Sequence, residues 1–544
     1  MSLIEAPRNS DWTGCIDFGT AMSKAAVVRR KSRKSLTSAD VAALAIGDRD
    51  GVASRNKLLL PSIIYVTDQA VLFGEEAQTA AIRGERLDRE AFVSPKQYLS
   101  TREPEELDEP LNSKIDPTGA YTARQLLALF LAHLLVQAGR AAKAAKVPWP
   151  VPLRIARPAW EQARAKAGEK ALNSLVLRAF AIADDLGDKL SAAKGVSHDL
   201  ARSALRKATS NARFDDPAAF PHVFELSNNG SASVLEATAV AAGSIRETGR
   251  RVVVVADIGG GTSDFGAFMT GLRGKDVLAE IRDSSRVLRE AGDHLDMLLT
   301  RHILDDAGID REDPAGRGAA NRLRRDQRAN KEALFADGEI TVRLGDDVRT
   351  VRHGVFLADP RVRAFAERLR SKFSETLAFA IECARQYPLG LDRPTPVEVL
   401  LTGGGHSLPM VKEFVTSPPI PWKYLAASPE IPDGPVEEGF RAVHRQLAVA
   451  IGGAVRDLPH QTSPVRVKDT PDASATEAHV QPNPAGIIRQ TVDILDAAQA
   501  VHEAARVDHQ PAAAYASGST RPPAAGAQPA KSAGPRRLAS RTKR

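Results

Sequence analysis

Three glycine-containing loops follow strand-like runs of the chain, and their side chains are of the kinds that bind phosphate. The loops read Asp17-Phe-Gly19-Thr20, then Asp257-Ile-Gly259-Gly260-Gly261-Thr262-Ser-Asp264, and finally Thr402-Gly403-Gly404-Gly405-His406-Ser407. Glycine permits positive φ angles and lets the backbone come close to an anion, so that successive N–H groups point at it. Thr20 and Thr262 add hydroxyl donors. These loops therefore predict a site for phosphate groups.

An aspartate stands at the mouth of each of the first two loops. Because a carboxylate repels a phosphate, Asp17, Asp257 and Asp264 are not expected to contact the phosphate directly. Aspartate can instead hold Mg²⁺ through water, since Mg²⁺ keeps most of its hydration shell. The combination predicts a phosphate site that also takes Mg²⁺.

Other common binding and catalytic patterns are missing from the sequence. No loop carries the Gly-Lys-Ser/Thr of P-loop proteins, and no strand is followed by Gly-x-Gly-x-x-Gly. We find no metal-ligand spacing of His and Cys residues and no Ser–His–Asp arrangement. The sequence therefore disfavours a P-loop fold and a dinucleotide-binding fold.

The elements that must position these loops alternate between strands and helices. Residues 252–256 and 397–402 are rich in β-branched or aliphatic side chains and are followed by glycine, which predicts strands. Residues 123–146 and 160–190 predict helices, the first of which stops before Pro148. This alternation predicts an α/β fold.

The chain has 544 residues, too many for one hydrophobic core, so we expect two or more folded lobes. We expect an N-terminal extension (1–11), a folded body (12–458) and a Pro- and Ala-rich, largely disordered tail (459–544). The net charge of +7 equals the seven Lys and Arg residues of 521–544, a segment without acids. The body is therefore not expected to bind nucleic acid, and for the tail a solvated end is favoured over contact with nucleic acid or an acidic partner.

Cysteine content and hydropathy favour a cytoplasmic protein. Cys15 and Cys383 provide no disulfide framework, and both are expected to be small buried side chains. There is no run of about eighteen apolar residues, and residues 1–11 lack the apolar core of a signal peptide. Within the tail, residues 487–507 predict an amphipathic helix that is either transient or docks on a partner or on the body.

In their order and composition, the three loops resemble those of the actin-like ATPase superfamily, and within it the nucleotide-binding domain of the heat shock protein 70 chaperones. The first two resemble its phosphate loops and residues 401–411 resemble its adenosine loop. Smaller matches lie at residues 92–96, 235–243, 291–296 and 330–334, so that the resemblance covers about residues 12–455. It implies a two-lobed fold of duplicated ribonuclease H-like βββαβαβα lobes, with the second lobe starting near residue 250.

The resemblance also implies ATP as the ligand and a role for each matching residue. Asp17 and Asp264 would orient hydrated Mg²⁺, and Asp257 would position the attacking water or accept its proton. Lys96 would stabilise charge on the γ-phosphoryl group, and Glu236 would couple the metal shell to lobe closure. For Lys96 and Lys331, an ordinary helix-surface lysine is the alternative.

The remaining implied residues surround the nucleotide. Thr20, Gly260, Gly261 and Thr262 would cradle the β- and γ-phosphates; Lys331, Gly404, Gly405 and Ser407 would border the nucleoside; Gly19, Gly259, Gly292 and Gly403 complete the set.

The sequence departs from the chaperones in three places. About 86 residues follow Leu458, and they show no strand pattern of a peptide-binding domain. Ser407, Glu332 and Gln446 replace two arginines and an aspartate near the adenosine, which implies weaker base contacts. Residues 175–233 are longer than the matching link, so we expect a helical insertion there.

Four functions stay open at this point. The first is a slow Mg-ATPase that acts as a conformational switch or chaperone-like protein for a partner. The second is a filament-forming relative of bacterial actins, and the third is a sugar or acid kinase of the same superfamily. The fourth is a non-catalytic adaptor that binds nucleotide only structurally.

Overall fold

The computed structural model describes most of the chain up to residue 462. The described ranges are 3–6, 8–47, 56–83, 89–157, 160, 162–226, 231–245, 249–271, 278–310, 313–345, 347–387 and 394–462. The chain divides into two compact units, Met1–Arg466 and Val467–Arg544. The second unit, and with it the predicted helix at 487–507 and the basic tail, lies outside the described residues.

Nineteen strands are present in the part of the chain that the structure describes. They are β1 (Trp12–Asp17), β2 (Met22–Arg29), β3 (Val41–Ala43), β4 (Leu60–Pro61), β5 (Ile63–Val66), β6 (Ala70–Phe73), β7 (Phe92–Val93), β8 (Leu153–Arg157), β9 (Val196–Ser197), β10 (Ser233–Leu235), β11 (Arg251–Ile258), β12 (Ser263–Thr270), β13 (Ala279–Ile281), β14 (Arg286–Leu288), β15 (Glu339–Leu344), β16 (Asp347–Arg352), β17 (Val397–Thr402), β18 (Tyr424–Ala427) and β19 (His460–Thr462).

The described ranges also contain twelve α-helices. They are α1 (Gly74–Arg83), α2 (Pro95–Thr101), α3 (Ala123–Ala144), α4 (Gln162–Leu186), α5 (His198–Ser210), α6 (Glu236–Ser244), α7 (Gly292–Asp306), α8 (Pro314–Asp337), α9 (His353–Leu357), α10 (Pro360–Gln386), α11 (Pro409–Thr416) and α12 (Glu438–Ala454). The mixture confirms the predicted α/β class.

The two large sheets repeat one strand order. In the first sheet the order is β10-β8-β1-β2-β3, and in the second it is β18-β17-β11-β12-β13, extended by β19. In both sheets, the first three strands in chain order (β1 to β3, and β11 to β13) pair antiparallel. The next two strands of each sheet (β8 and β10, and β17 and β18) are added in parallel on the other side of the first strand. The strands at 252–256 and 397–402 predicted from the sequence are therefore neighbours at the centre of the second sheet.

Helices α6 and α12 pack against each other and against both sheets. One hydrophobic cluster contains side chains from these two helices together with strands of each sheet, including Val28, Val255 and Leu400. The helices touch through glycine, since a Cβ atom added at Gly243 would lie 2.8 Å from the Cα of Gly452. This pair of helices thus joins the two sheets through one shared hydrophobic cluster, beside the separate cluster of each sheet.

Helix α3 is the most apolar long helix of the described residues. Its N-terminus is fixed by a capping box in which Thr122 and Gln125 satisfy each other's backbone N–H groups. By length and composition alone α3 is long enough to cross a membrane, but 83% of its most apolar window is buried inside the fold. Its packing against α4 is that of a core helix.

Two boundaries differ from the sequence-based expectation. The extension before Trp12 is docked, because Ile4 is buried and the backbone N–H of Leu3 donates to Asp184 at 2.6 Å. After Leu458, where we expected strands to cease, His460–Thr462 forms β19 beside β13. The pattern of side chains did not predict this strand, since residues 460–462 are all polar.

The segment expected to be a helical insertion is mostly helical. It continues α4, forms α5 and adds the short strand β9, which pairs antiparallel with β6. His198, the first residue of α5, donates from Nε2 to the carbonyl of Thr67 at 3.0 Å. Its Nδ1 forms a hydrogen bond with the hydroxyl of Tyr121 at 2.8 Å. The segment is thereby packed onto the same core as the first sheet.

Candidate functional site

The first two glycine loops are turns of two equivalent hairpins. The first turn joins β1 to β2 and the second joins β11 to β12, each at the same place in its sheet. In the first hairpin Asp17 lies opposite Lys24, and in the second Asp257 lies opposite Asp264. Each pair is seven residues apart, so the two hairpins have the same length and register.

The third glycine loop follows β17, which pairs in parallel with β11 and ends level with Asp257. The backbone N–H of Gly405 donates to the carbonyl of Ile258 at 2.9 Å, and this bond fixes the third loop to the second. Parallel neighbours end at the same edge of a sheet, so the loops that follow them meet there.

All three loops line one open cleft. Thirteen of the predicted residues contribute to its wall: Asp17, Gly19, Thr20, Glu236, Asp257, Gly259, Gly260, Thr262, Gly292, Lys331, Gly403, Gly404 and Gly405. The wall also includes Ala21, Met22, Lys24, Asp293, Arg328, Glu332, Leu408, Gln446 and Val449. Segments far apart in the sequence therefore converge on a single site.

Loop one and loop two touch across the cleft. A Cβ atom at Gly261 would lie 2.5 Å from the Cγ2 of Thr20, and one at Gly260 would lie 2.8 Å from the Cβ of Ala21. Real Cβ atoms do not come this close, so the contact requires glycine in loop two. The two threonines with hydroxyl donors are brought to the same part of the cleft as a result.

Four predicted residues lie behind or beside this wall. Lys96 is 3% exposed and is enclosed in the protein. Gly261 abuts Thr20, and Asp264 is buried beneath the second loop. Ser407 is exposed at the edge of the third loop.

Lys96 lies between two carboxylates. Its Nζ atom is 3.2 Å from the Oδ1 of Asp17 and also pairs with the Oε1 of Glu236. Burial lowers the pKa of Lys96, but the charges of Glu236 and Asp17 outweigh this effect and raise that pKa above its usual value. The ammonium group is therefore charged and held in place by both acids.

Asp17 has a second cationic partner in Lys24, whose Nζ lies 2.8 Å from its Oδ2. Burial raises the pKa of Asp17, yet Lys24 and Lys96 together hold it below its usual value. Asp17 is consequently an ionised carboxylate with one cation on each oxygen.

Among the described residues, no cationic side chain forms an ion pair with Asp257 or Asp264, although Lys24 and Lys96 act on Asp257 from a greater distance. Burial, followed by repulsion from Glu236, raises the pKa of Asp257 to about 8. The same two causes, in the same order, raise the pKa of Asp264 well above its usual value. The Oδ2 of Asp264 is buried and has no hydrogen-bond partner among the described residues. A cation at this point would relieve both carboxylates.

The start of α7 is bound to the second loop. The backbone N–H groups of Gly292 and Asp293 donate to the carbonyls of Gly259 and Gly260, at 3.2 and 2.7 Å. Lys331 of α8 donates to the carbonyl of Gly292 at 2.8 Å and pairs with Asp296, also at 2.8 Å. The part of the cleft next to the second loop is therefore assembled from α7 and α8.

Segment 92–96 is held against this region by Ser94. The residue has a left-handed backbone with φ of 56°, and it precedes α2 at the position of a helix cap. Its hydroxyl does not cap the helix but donates to the Oδ2 of Asp293 at 3.0 Å. The helix that carries Lys96 is thus tied directly to the start of α7.

Sequence reasoning missed Lys24, Asp293 and Arg328 as cleft residues. For Lys24 a signal was present, because residues 17–24 and 257–264 share Asp, Gly and Ser at three equal positions, and the last position is Lys24 in one segment and Asp264 in the other. Asp293 directly follows Gly292, which the sequence predicted as a site residue. Only the hydrogen bonds of Asp293 with Gly260 and Ser94 show that it belongs to the cleft as well. Arg328 lies one helical turn from Lys331 and forms an ion pair with Glu332 at 2.8 Å.

Two further findings concern metals and relatives. Within the described ranges, no group of three or more His, Cys, Asp or Glu side chains is close enough to enclose a metal ion. The sequence matches no known protein-family model.

Proposed function

We propose that this protein binds ATP with Mg²⁺, hydrolyses it slowly and uses the cycle as a conformational switch. The observation that carries the proposal is the meeting of three glycine loops at one cleft, with Asp17, Glu236 and Asp257 at its base. Backbone N–H groups and threonine hydroxyls around this open cleft suit a polyphosphate.

We further propose that the body is the two-lobed fold of actin-like ATPases. The repeated strand order of the two large sheets supports two lobes of ribonuclease H-like type. Helices α6 and α12, which pack on both sheets, would form the connection on which the lobes move. On this proposal each lobe contributes one phosphate loop, and a ligand that contacts both loops favours closure.

The acidic residues fit a hydrated magnesium ion. Asp257 and Asp264 face each other across a hairpin, and the Oδ2 of Asp264 lacks a partner among the described residues. Asp17 and Asp264 would hold the ion through its water shell, an arrangement that needs no closed set of direct ligands. When bound, Mg²⁺ would neutralise charge on the phosphate oxygens of ATP.

The residues of the cleft support a simple division of labour in hydrolysis. Asp257 would accept the proton of the attacking water as the new bond to the γ-phosphorus forms and the β–γ bridging bond breaks. Burial raises the pKa of Asp257 to about 8, so its ionised form is a stronger base than an ordinary carboxylate. Lys96 and Glu236 would keep charge and geometry fixed around Asp17.

The nucleoside would lie beside the third loop and α8. Gly404, Gly405 and Lys331 line this part of the cleft with Glu332 and Gln446. A protein partner that reads the angle between the lobes would then sense which nucleotide is bound. The family resemblance suggests such a partner and does not identify it.

The test is calorimetry of the full chain with ATP in the presence and absence of Mg²⁺, followed by turnover measurements. We expect binding that depends on Mg²⁺ and slow phosphate release. Asp257→Asn should abolish release, and Lys96→Ala should lower it by about a hundredfold. A folded wild-type protein that fails to bind Mg-ATP would contradict the proposal.

A nucleotide-binding adaptor without turnover is the second candidate. It is supported by the position of Lys96, which is enclosed by carboxylates rather than exposed on the cleft wall. The same measurements separate the two candidates, because the adaptor would bind Mg-ATP and release no phosphate.

A further inference from the structure

Lys24 is a cationic side chain in direct contact with the first phosphate loop. It lies on β2 directly opposite Asp17, it lines the cleft, and its side chain is 15% exposed. Its Nζ atom is 3.2 Å from the position that a Cβ atom at Gly19 would occupy. The ammonium group therefore lies against the turn that precedes Thr20.

Lys96 has a different environment although it binds the same aspartate. It is 3% exposed, it pairs with both Asp17 and Glu236, and its amino group also lies over the ring of Phe18 at 5.6 Å. An ammonium group has three donors, and two of those of Lys96 are already directed at carboxylates. Lys24 has one paired carboxylate in the structure and faces the open cleft.

A polyphosphate at this cleft meets several carboxylates of the protein, so a protein cation beside Mg²⁺ would favour its binding. Asp17, Glu236 and Asp257 all line the wall, and each would repel a phosphate in the absence of a counter-charge. The cationic residues Arg328 and Lys331 belong to α8, where Lys331 is held by Gly292 and Asp296. Among the described residues of the first hairpin, the cationic side chain that lines the cleft is Lys24.

We propose that Lys24 contacts the terminal phosphates of the bound nucleotide, whereas Lys96 is a positioning residue that fixes Asp17 and Glu236. The assignment rests on the proposed nucleotide-binding function. Lys24 need not leave Asp17, because one donor can stay on the carboxylate while the other two bind phosphate oxygens. The first hairpin thus supplies a fixed cation where the second presents Asp264.

The experiment compares binding of ATP, ADP, adenosine and inorganic tripolyphosphate, each with Mg²⁺, by calorimetry on the full chain. The variants are Lys24→Met, which removes the charge, and Lys24→Arg, which keeps it. Lys207→Met is the matched control, since Lys207 is an exposed lysine on α5 that pairs with Asp185. Lys96→Met tests the division of roles.

For Lys24→Met we expect affinity for ATP, ADP and tripolyphosphate to fall about ten- to a hundredfold, the effect of losing a charge-assisted hydrogen bond. Adenosine affinity should stay within about twofold, because adenosine has no phosphate, and this also shows that the variant is folded. Lys24→Arg should recover part of the loss, and Lys207→Met should match the wild type. Lys96→Met should lower turnover while changing tripolyphosphate affinity less than Lys24→Met does.

Several results would overturn the assignment. Lys24→Met could bind ATP and tripolyphosphate as the wild type does, or it could lose adenosine to the same degree. A wild type that binds tripolyphosphate but not ATP would contradict the proposed function. In that case the role of Lys24 is still tested by comparing the tripolyphosphate affinities of Lys24→Met and the wild type. A wild type that binds neither would overturn both.

Discussion

At the scale of single residues, the site is defined by the contrast between two hairpins of equal length. The cross-strand pair in the first is Asp17 with Lys24, and in the second it is Asp257 with Asp264. Opposite charges directly across two strands stabilise a hairpin, and like charges destabilise it. Both aspartates of the second hairpin are also buried, at 4% exposed, so solvent does not screen their repulsion. Such a pair is tolerated where function requires a cation.

Asp264→Asn should therefore stabilise the protein when Mg²⁺ is absent. We expect the free energy of unfolding to rise by about 1 kcal/mol, because burial and Glu236 disfavour the ionised form of Asp264 in the folded protein, a cost that neutral asparagine does not carry. The measurement is denaturant unfolding in chelator at pH 9, above the pKa of about 8 of Asp257. The matched change is Asp185→Asn, at an aspartate on α4 that pairs with Lys207, and it should give no gain.

Asp264→Asn should also gain less stability against unfolding from Mg²⁺ than the wild type does. Mg-ATP should stabilise the wild type against unfolding, and it should stabilise Asp264→Asn much less. An unchanged or lower stability without Mg²⁺ would contradict the view that the buried pair is strained.

A site residue could be predicted from the sequence when the pattern that marks it lies within a few neighbouring positions. The three loops were visible in the sequence because glycine, threonine and aspartate follow strands within a few positions. The enclosure of Lys96 was not visible, since it depends on Asp17 and Glu236, which are 79 and 140 residues away. Lys24 had a local signal in its hairpin register, which the family resemblance alone did not supply.

At the scale of elements, helix α10 shows how a long helix is fixed beneath the second sheet. Its cap is Asp359, whose Oδ1 accepts the backbone N–H of Arg361 at 2.9 Å. Its Oδ2 bonds with His302 of α7 at 2.9 Å, so the cap also links two helices. Hydrogen bonds from the side chain of Arg361, reinforced by His302, hold the pKa of Asp359 well below its usual value.

Asp359→Ala should lower the free energy of unfolding by about 2 kcal/mol at pH 7, because it removes a cap and charge-assisted hydrogen bonds. A carboxyl whose pKa is depressed by folding contributes fully above its unfolded pKa of about 4 and loses that contribution as the pH falls through the folded value. The difference between variant and wild type should thus narrow below about pH 4. Denaturant unfolding from pH 7 to pH 3 measures it.

Asp359→Asn separates the cap from the charge. Asparagine caps helices about as well as aspartate does, so this variant should lose less than Asp359→Ala at pH 7. Equal losses for both variants, or a loss that does not depend on pH, would contradict the assigned role of the carboxylate.

Elements were predicted best where their side chains repeat with a clear period. The buried run of β11 and the apolar face of α3 are continuous in the sequence, and both were located to within a few residues. The strand β19 was missed because its three residues are polar and show no apolar pattern, although they pair with β13. The docking of Leu3 and Ile4 was missed for a related reason, as it depends on Asp184 of α4.

At the scale of the whole molecule, α6 and α12 connect the site to the core. Helix α6 begins at Glu236, which pairs with Lys96, and α12 places Gln446 and Val449 in the cleft wall. The sequence could suggest a connecting helix at Glu236, yet the contact between α6 and α12 joins residues some two hundred positions apart. That contact requires small residues on both helices, because no side chain fits between them.

Gly452→Ala should separate the two helices. A Cβ atom there would overlap the carbonyl of Ala239 and lie 2.6 Å from its carbon and 2.9 Å from the backbone nitrogen of Gly243. Backbone atoms cannot move aside as side chains do, so we expect a loss of about 1–3 kcal/mol in the free energy of unfolding. Since α6 carries Glu236 and α12 borders the cleft, affinity for Mg-ATP should fall as well.

Gly439→Ala is the matched control, as it makes the same change in the same helix at a position with open space around the added atom. Alanine is the better helix former, so this variant should be as stable as the wild type or more stable by up to about 1 kcal/mol. Its affinity for Mg-ATP should be unchanged. Thermal unfolding and calorimetry of both variants decide the matter: if Gly452→Ala is as stable as Gly439→Ala, the close contact of α6 with α12 does not hold the two sheets together.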